Sequence, residues 1–240
     1  VGYLSDMQFI GGTAVTPSPS TIPTAPPSAH ADEEFRLIGA DAHVIDKSQK
    51  NNLELFGNTA ASTTQSKFSN TASVYFDGTG DYVDGPIVSD LNIGTGDFTV
   101  ECWVYETTLN TDRGIWEARS TGNATDGMTF TRINTDAFRV WSGGALITTG
   151  SVTIQNTWVH CAVVRYNGTL TIYINGSSSG TPVSNSTNFS SSQPFVIGAG
   201  RHITTATPTA FMTGYVQDLR VSSYARYTSN FTVPSAPLEG

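Results

Sequence analysis

The sequence predicts an all-β fold in which two antiparallel sheets pack as a sandwich. Short segments rich in Val, Ile, Thr and aromatic residues are separated by turn signals such as TGD, NTD, SGG and YNGT, and no stretch repeats its apolar residues with a helical period. Of the 240 residues, 38% are hydrophobic and 13% are charged, a balance that can supply a core and excludes a disordered chain.

Charge and hydropathy exclude two classes of partner. The formal net charge is -8, and the 12 Lys and Arg residues are scattered, whereas a nucleic-acid-binding protein clusters them on one surface. No apolar run approaches the length of a membrane span, and no signal-peptide pattern opens the sequence. We therefore expect neither nucleic-acid binding nor membrane insertion.

The N-terminal part predicts a short strand at residues 1–11 and a linker rich in Pro, Ser and Thr at residues 12–34. The segment GYLSDMQF (residues 2–9) resembles GYVQDLRV (residues 214–221), and a Pro-bearing tail follows each copy. One interpretation is that residues 1–29 end a preceding module of a tandem array; the other is chance similarity between two strands.

The main body, residues 35–240, predicts strands throughout. In TWVHCAVVRY-NG-TLTIYING, the pair Asn167-Gly168 predicts a hairpin with a type I′ turn. The segments FTVECWVY and WVHCAVVRY have apolar residues at consecutive positions, which predicts central strands that are buried on both faces. Aromatic residues inside these strands are expected in the core: Phe98, Trp103, Trp158 and Tyr173.

The two cysteines, Cys102 and Cys161, lie inside apolar strand patterns. We expect two buried core thiols, while a disulfide stays possible if the two strands are neighbours. Neither cysteine is spaced from a histidine as in a zinc site.

Five blocks occur in the order and spacing of a known fold: KFSNTASVYFDGTGDYVDG, DFTVECWVY, TWVHCAVVRYNGTLTIYINGS, PFVIGAG and GYVQDLRVSSYARYTSNFTVP. They resemble the laminin-G-like (concanavalin A-like lectin/glucanase) jelly roll. The resemblance covers roughly residues 35–238. It implies two curved antiparallel sheets with the first and last strands side by side, binding of sugars, proteins or surfaces, and commonly a structural calcium ion. With the lead-in LIGADAHVIDKSQKNN, the sequence also resembles modules of tail-fibre and other virion surface proteins of marine and cyanobacterial phages.

The residues do not predict an enzyme. Glucanases of that superfamily carry an E-x-D-x-E pattern on one strand, and retaining glycosidases need two carboxyl groups close together. Here Glu101 is a lone strand carboxylate, and His160 lies in a strand, where a structural role is more common than a catalytic one. No G-x-S-x-G elbow stands between a strand and a helix.

A structural calcium site is the one cofactor that the residues suggest. The turn in FDGTGDYVD offers Asp77 and Asp81 with the flexible carbonyls of Gly78 or Gly80, and pairing of the last strand beside the first would bring Asp218 near. The alternative is that these glycines only form a turn and the aspartates cap local N–H groups. Further oxygen donors are available in the loops NTDRG and GNATDG, at Asp112 and Asp126.

A sugar site would combine an exposed aromatic ring with polar loops. The candidates are Trp116, Trp141 and Tyr224, with Arg113, Arg119 and Arg201 on neighbouring loops. The alternative for Trp116 is that it closes one end of the sandwich; for Trp141 this closing role is preferred.

Together these observations predict a non-enzymatic structural or adhesive module of a virion surface or appendage. Its partners would be a glycan or host-surface protein, neighbouring subunits of a homo-oligomer, or both. The alternative is a secreted cellular lectin-like or cell-adhesion module. In either case we expect an extracellular or virion-surface location, with variable loops displayed on a rigid sandwich.

Overall fold

The computed structural model describes residues 35–40, 43–46, 52–86, 93–109, 111–119, 126–191, 193–200 and 207–238. All regular structure in these ranges is β, and they contain no helix long and apolar enough to cross a membrane. The strand and linker expected at residues 1–34 lie outside the described residues.

In the described ranges, sixteen strands form two sheets, called sheet A and sheet B below. Sheet A contains β1 (Phe35–Ala40), β2 (His43–Asp46), β4 (Ala60–Ser62), β5 (Ser73–Asp77), β7 (Phe98–Glu106), β12 (Val159–Tyr166), β13 (Thr169–Ile174), β14 (Ser177–Ser184) and β16 (Thr213–Ser222). Sheet B contains β3 (Glu54–Phe56), β6 (Tyr82–Asp84), β8 (Arg113–Glu117), β9 (Thr129–Arg132), β10 (Ala137–Trp141), β11 (Ala145–Ser151) and β15 (Val196–Ile197).

The strand order is β14-β13-β12-β7-β16-β1-β2 in sheet A and β11-β10-β9-β8-β15-β6-β3 in sheet B. The first and last strands lie side by side, with Phe35 opposite Val221, as the sequence resemblance implied. Along the ten residues of β16, one half pairs with β5 and the other half with β1. This two-sheet antiparallel arrangement confirms the predicted fold class.

The main core lies between the sheets because alternate residues of each strand point inward. In β7 the inward side chains are Val100, Cys102 and Val104, all fully buried. The outward side chains Glu101 and Trp103 are buried as well, which confirms the prediction of a strand covered on both faces. Each large apolar side chain removed from water contributes about 1.5–3 kcal/mol.

The predicted hairpin is confirmed. Strands β12 and β13 pair from Cys161–Ile174 to Tyr166–Thr169, and the two turn residues have positive φ values, 47° at Asn167 and 72° at Gly168. A type I′ turn requires positive φ at both central positions, which Asn and Gly tolerate best.

The two cysteines face each other across β7 and β12, with their Sγ atoms 3.5 Å apart. Both are free and fully buried, which confirms the expectation of two core thiols.

Residues 223–238, called the cover segment below, run across the outer face of sheet A. The backbone carbonyl of Tyr224 accepts a hydrogen bond from Oγ1 of Thr99, and the N–H of Phe231 donates to the carbonyl of Gly176. Side chains of the segment pack on a small outer cluster formed by Ala162, Val164 and Tyr173, and the packing residues are Ala225, Tyr227 and Phe231. The cover segment therefore buries part of the face of sheet A that points away from the main core.

Candidate functional site

The aspartates of the expected calcium site make local hydrogen bonds in the turn that joins β5 to β6. One carboxylate oxygen of Asp81 accepts the N–H of Asn58 and the other accepts the N–H of Asp77 at 2.7 Å. Asp77 in turn accepts the N–H of Thr79 at 2.7 Å and the side-chain amide of Asn58 at 3.2 Å. These bonds correspond to the alternative in which the aspartates cap N–H groups.

Gly78 and Gly80 have φ values of 92° and 77°, so they serve as turn residues with left-handed backbone. The structure thus gives each a conformational role that needs no metal ion.

Asp218 does not reach this turn. Thr213 is the residue of β16 that pairs with Asp77, and Asp218 lies five residues further, about 16 Å away at ~3.3 Å per residue. At Asp218 the register of β16 shifts, φ is 52°, and Oδ2 accepts the N–H of Leu238 at 2.8 Å. The expected three-aspartate site is therefore corrected: Asp218 anchors the cover segment instead.

The other candidate oxygen donors lie at opposite ends of the β8–β9 hairpin, since Arg113 pairs with Arg132 and Glu117 with Thr129. Asp112 accepts the N–H of Asn134 at 2.8 Å, while Asp126 precedes β9 at the far end. The described residues contain no group of three or more His, Cys, Asp or Glu side chains placed to hold a metal ion.

Trp116 has a different position from the one expected for a sugar platform. It pairs with Phe130 on the inner face of sheet B, is 1% exposed and belongs to the main core. A ring with no exposed face cannot stack on a ligand, so this expectation is corrected: Trp116 packs inside the main core. Trp141 stays half-buried at the end of β10, with the guanidinium of Arg139 5.3 Å from its ring centroid.

The candidate arginines are not brought together. Arg113 lies at the start of β8, where Nη1 is 3.8 Å from Oε2 of Glu106. Arg119 follows the end of β8, where Nη2 is 3.3 Å from Oε1 of Glu117. Both arginine side chains are about as buried as the core, and burial lowers the pKa of Arg113. Arg201 lies outside the described residues.

Tyr224 is exposed, as a ligand-binding tyrosine must be. The guanidinium of Arg226 lies over the Tyr224 ring, 4.7 Å from the ring centroid. Trp116, Arg113 and Arg119 belong to sheet B or its loops, so the structure does not assemble them with Tyr224 into one site.

The described residues contain a groove on the outer face of sheet A, at the β12–β13 hairpin. Its volume is about 320 Å³. The residues that line it, called the tyrosine groove below, are Val164, Tyr166, Asn167, Thr169, Thr171, Tyr173, Tyr227 and Thr228. Three tyrosine rings and three threonine hydroxyls therefore converge on one concave surface.

Strand alternation explains why these side chains share a face. Val164 pairs with Thr171 and Tyr166 with Thr169 across the hairpin, so the four side chains point outward together, while Val163 and Leu170, at alternate positions, enter the main core. Tyr227 of the cover segment closes one side of the groove. Its ring stacks on Phe231, with centroids 3.5 Å apart and planes 4° from parallel.

A buried charged cluster lies behind Tyr227. The hydroxyl of Tyr227 donates to Oε2 of Glu101 at 2.7 Å, and Nη2 of Arg220 lies 2.7 Å from Oε1. Nε2 of His160 is 3.2 Å from Oε2, and the guanidinium of Arg226 is 3.9 Å from Oε1. Glu101 is fully buried and surrounded by donors.

The surroundings of Glu101 keep it ionised. Burial by itself raises the pKa of a carboxyl group, but the close approach of His160 and the charge of Arg220 outweigh it and lower the pKa of Glu101 to about 2. Burial and the neighbouring carboxylate raise the pKa of Tyr227. Tyr227 is therefore a protonated donor with a fixed acceptor, which holds its ring at the edge of the groove.

A family model of the laminin-G type, described as the concanavalin A-like lectin/glucanases superfamily, matches residues 77–230. The chain belongs to this superfamily. The matched range runs from the end of β5 into the cover segment, so it includes strands of both sheets and every residue that lines the tyrosine groove. A comparison with curated proteins finds no match.

Solved structures with the same fold include toxin binding domains. The binding domain of Paraclostridial Mosquitocidal Protein 1 has a TM-score of 0.61 at 16% identity over 82% of this chain and 50% of that one. The binding domain of Botulinum Neurotoxin DC, solved in complex with SialylT, has a TM-score of 0.60 at 13% identity over 82% and 49%. The same toxin domain in complex with rat synaptotagmin II has a TM-score of 0.59 at 12% identity over 82% and 49%.

This superfamily member spans about half the length of those toxin domains. At such low identity the likeness shows the fold alone.

Sequence reasoning missed the tyrosine groove. The strand alternation of WVHCAVVRY and TLTIYING could have placed Tyr166, Val164, Thr169 and Thr171 on one face. No local signal showed that Tyr227, more than fifty residues later, would return to that face. Tyr173, expected in the core, is buried, but in the outer cluster beneath the cover segment rather than between the sheets.

Proposed function

We propose that this chain is a non-enzymatic binding module that recognises a glycan or a surface protein through the tyrosine groove. The observation that carries the proposal is the convergence of three tyrosine rings with threonine hydroxyls in one open depression of about 320 Å³. Small-ligand sites combine aromatic walls with a few placed polar groups, and tyrosine supplies both in one side chain.

The arrangement of carboxylates supports binding rather than catalysis. Glycoside hydrolysis needs two carboxyl groups that reach the substrate. Asp97 lies at the rim of the tyrosine groove, and the carboxylate that contacts Tyr227, that of Glu101, is fully buried and also engaged by Arg220 and His160. A group held in that way orients its neighbours and has no access to a glycosidic bond.

The test compares two tyrosines that have equal exposure. Tyr166 lines the tyrosine groove and Tyr224 does not, and each side chain is 41% exposed. We expect Tyr166→Ala to weaken binding to an array of glycans and surface proteins at least about tenfold, since aromatic contacts dominate such sites. Tyr224→Ala should leave binding unchanged. Equal losses in the two variants, or no loss in either, would refute the groove as the site.

We further propose that the module is displayed on a virion surface or appendage, where it attaches the particle to a host. The support is the sequence resemblance to tail-fibre and virion surface modules, together with an acidic chain whose charged fraction is 13%. Immunogold labelling of the source particles with an antibody against this chain should decorate their outside. Labelling confined to cells or their secretions would instead support the alternative, a secreted lectin-like or adhesion module.

Neighbouring subunits are the second proposed partner. Residues 2–9 resemble residues 214–221 of β16, and they lie outside the described residues. If they pair with a neighbouring module, deletion of residues 1–15 should abolish any oligomer seen by light scattering, with or without EDTA. An oligomer that survives the deletion would refute this assembly.

A further inference from the structure

The tyrosine groove has no ionisable acid or base among its lining side chains other than tyrosine phenols. Its wall is made of aromatic rings, hydroxyl groups, one amide and one aliphatic side chain. The phenol of Tyr227 is held protonated by its environment, since burial raises its pKa. A ligand in the groove therefore meets neutral donors, neutral acceptors and ring faces.

Two arginines adjoin lining residues in sequence, and both donate hydrogen bonds outside the groove. Arg165 lies between Val164 and Tyr166 in sequence, but alternation directs it to the other face, where its guanidinium donates to the carbonyls of Gly94 and Gly96 at 2.7 Å. Arg226 precedes Tyr227, but its Nε donates to Oγ of Ser222 at 2.7 Å. The guanidinium of Arg165 is therefore held on the other face, and that of Arg226 is held beside Ser222 and Glu101.

The charge at the rim of the groove is negative. Asn167, a lining residue, donates its backbone N–H to Oδ1 of Asp97 at 2.9 Å. The whole chain adds to this field, with a formal net charge of -8. A carboxylate or sulfate brought here would lose hydration, gain no cationic partner and be repelled by Asp97.

On this basis, and resting on the proposed function, we propose that the tyrosine groove binds an uncharged, hydroxyl-rich sugar at the end of a glycan and rejects sialylated, sulfated and other acidic glycans. The C–H face of a neutral sugar packs on Tyr166 or Tyr227, and its hydroxyls exchange hydrogen bonds with the threonines. A site built around neutral hydroxyl partners discriminates by leaving a mismatched polar group unpaired.

The size of the groove agrees with a small ligand. A volume of about 320 Å³ is at the low end of ligand pockets, which span about 300–1,000 Å³. The groove therefore takes the terminal part of a glycan rather than a long stretch of it.

The experiment uses the full chain on an array of glycans printed in pairs that differ only in a sialic acid or sulfate. We expect binding that depends on Tyr166, with each neutral member bound at least about tenfold more tightly than its acidic partner. Raising the salt concentration from about 50 to about 500 mM should change the affinity for the neutral member less than about twofold, because no ion pair is formed.

Two variants sharpen the test. Asp97→Asn removes the rim carboxylate, and Thr228→Lys adds a cation to the wall of the groove. Both variants should reduce the difference in affinity between the neutral and the acidic member of each glycan pair. Thr232→Lys is the matched control, since it adds the same charge further along the cover segment and outside the groove.

The failures can be told apart. Preference for the acidic members, or an affinity that falls steeply with salt, overturns this inference while the groove remains a binding site. Binding that Tyr166→Ala leaves intact, or no binding to any member, overturns the proposed glycan function itself.

Discussion

The hydroxyl of Tyr227 donates a hydrogen bond of 2.7 Å to Oε2 of Glu101, joining the cover segment to the centre of sheet A. Because Tyr227 also lines the tyrosine groove, one bond connects the buried charged cluster to the ring that a ligand meets. Glu101 thus positions a residue of the candidate site without contacting a ligand itself.

The pKa of Glu101 predicts a loss of stability in acid. Its folded pKa of about 2 lies below its ordinary value of 4.5, so the unfolded chain binds more protons between these pH values. The contribution of Glu101, on the order of 3 kcal/mol, is therefore present above about pH 4.5 and is lost as the pH falls toward 2. Urea unfolding from about pH 7 down to about pH 3 measures it.

Glu101→Gln should flatten that acid dependence and reduce stability at neutral pH by about 3 kcal/mol or more, because Arg220 keeps its burial and loses its partner. Glu54→Gln, at an exposed position in β3, is the control and should change neither quantity. Identical acid profiles for wild type and Glu101→Gln would contradict the assignment.

The hydrogen bonds of Asp81 predict a stability loss that calcium does not influence. Asp81→Ala removes the acceptor for the N–H groups of Asn58 and Asp77, and leaving such groups unpaired costs about 1–3 kcal/mol each. Thermal melts with added Ca²⁺ and with EDTA should give the same loss. A loss that appears only with Ca²⁺ would instead establish a metal site at the turn.

The two thiols should be unreactive in the native protein and both reactive after unfolding. Cys102 and Cys161 are fully buried with Sγ atoms 3.5 Å apart, and burial raises the pKa of Cys102, which suppresses the thiolate. Titration with a thiol reagent, with and without guanidinium under non-reducing conditions, tests this. Two thiols that stay unreactive after unfolding would show that the pair had oxidised.

Gly168→Ala should destabilise the hairpin that carries six of the eight residues lining the tyrosine groove. The added Cβ would meet only the carbonyl oxygen of Asn185, at 4.0 Å, so the cost comes from the φ of 72° and is about 1 kcal/mol. Gly144→Ala is the matched control, because its Cβ enters open space and its φ is not in the left-handed region. Equal unfolding free energies for the two variants would argue against a type I′ turn.

Several features of the fold could be predicted because they depend on neighbours along the chain. The Asn167-Gly168 turn and the double burial of β7 and β12 follow from turn chemistry and apolar spacing. The pairing of β1 with β16 and the sandwich of two sheets followed from the family resemblance.

The site residues were harder to predict because each depends on register or on which face of a strand is covered. In the sequence, Trp116 is an aromatic residue close to predicted loops. Only its pairing with Phe130 places it in the core. Asp218 belongs to the strand expected beside the turn, yet about five residues of register separate it from Asp77.

By itself the sequence determined the class of fold, the main hairpin, the two buried thiols and the family, because strand periodicity, turn residues and the order of motifs are local properties. Only the tertiary structure decided where a ligand can bind. Tyr227 and Glu101 are 126 residues apart in sequence, and they meet because the cover segment folds back over sheet A. That return depends on long-range packing and hydrogen bonds, which no local pattern encodes, and it creates the tyrosine groove.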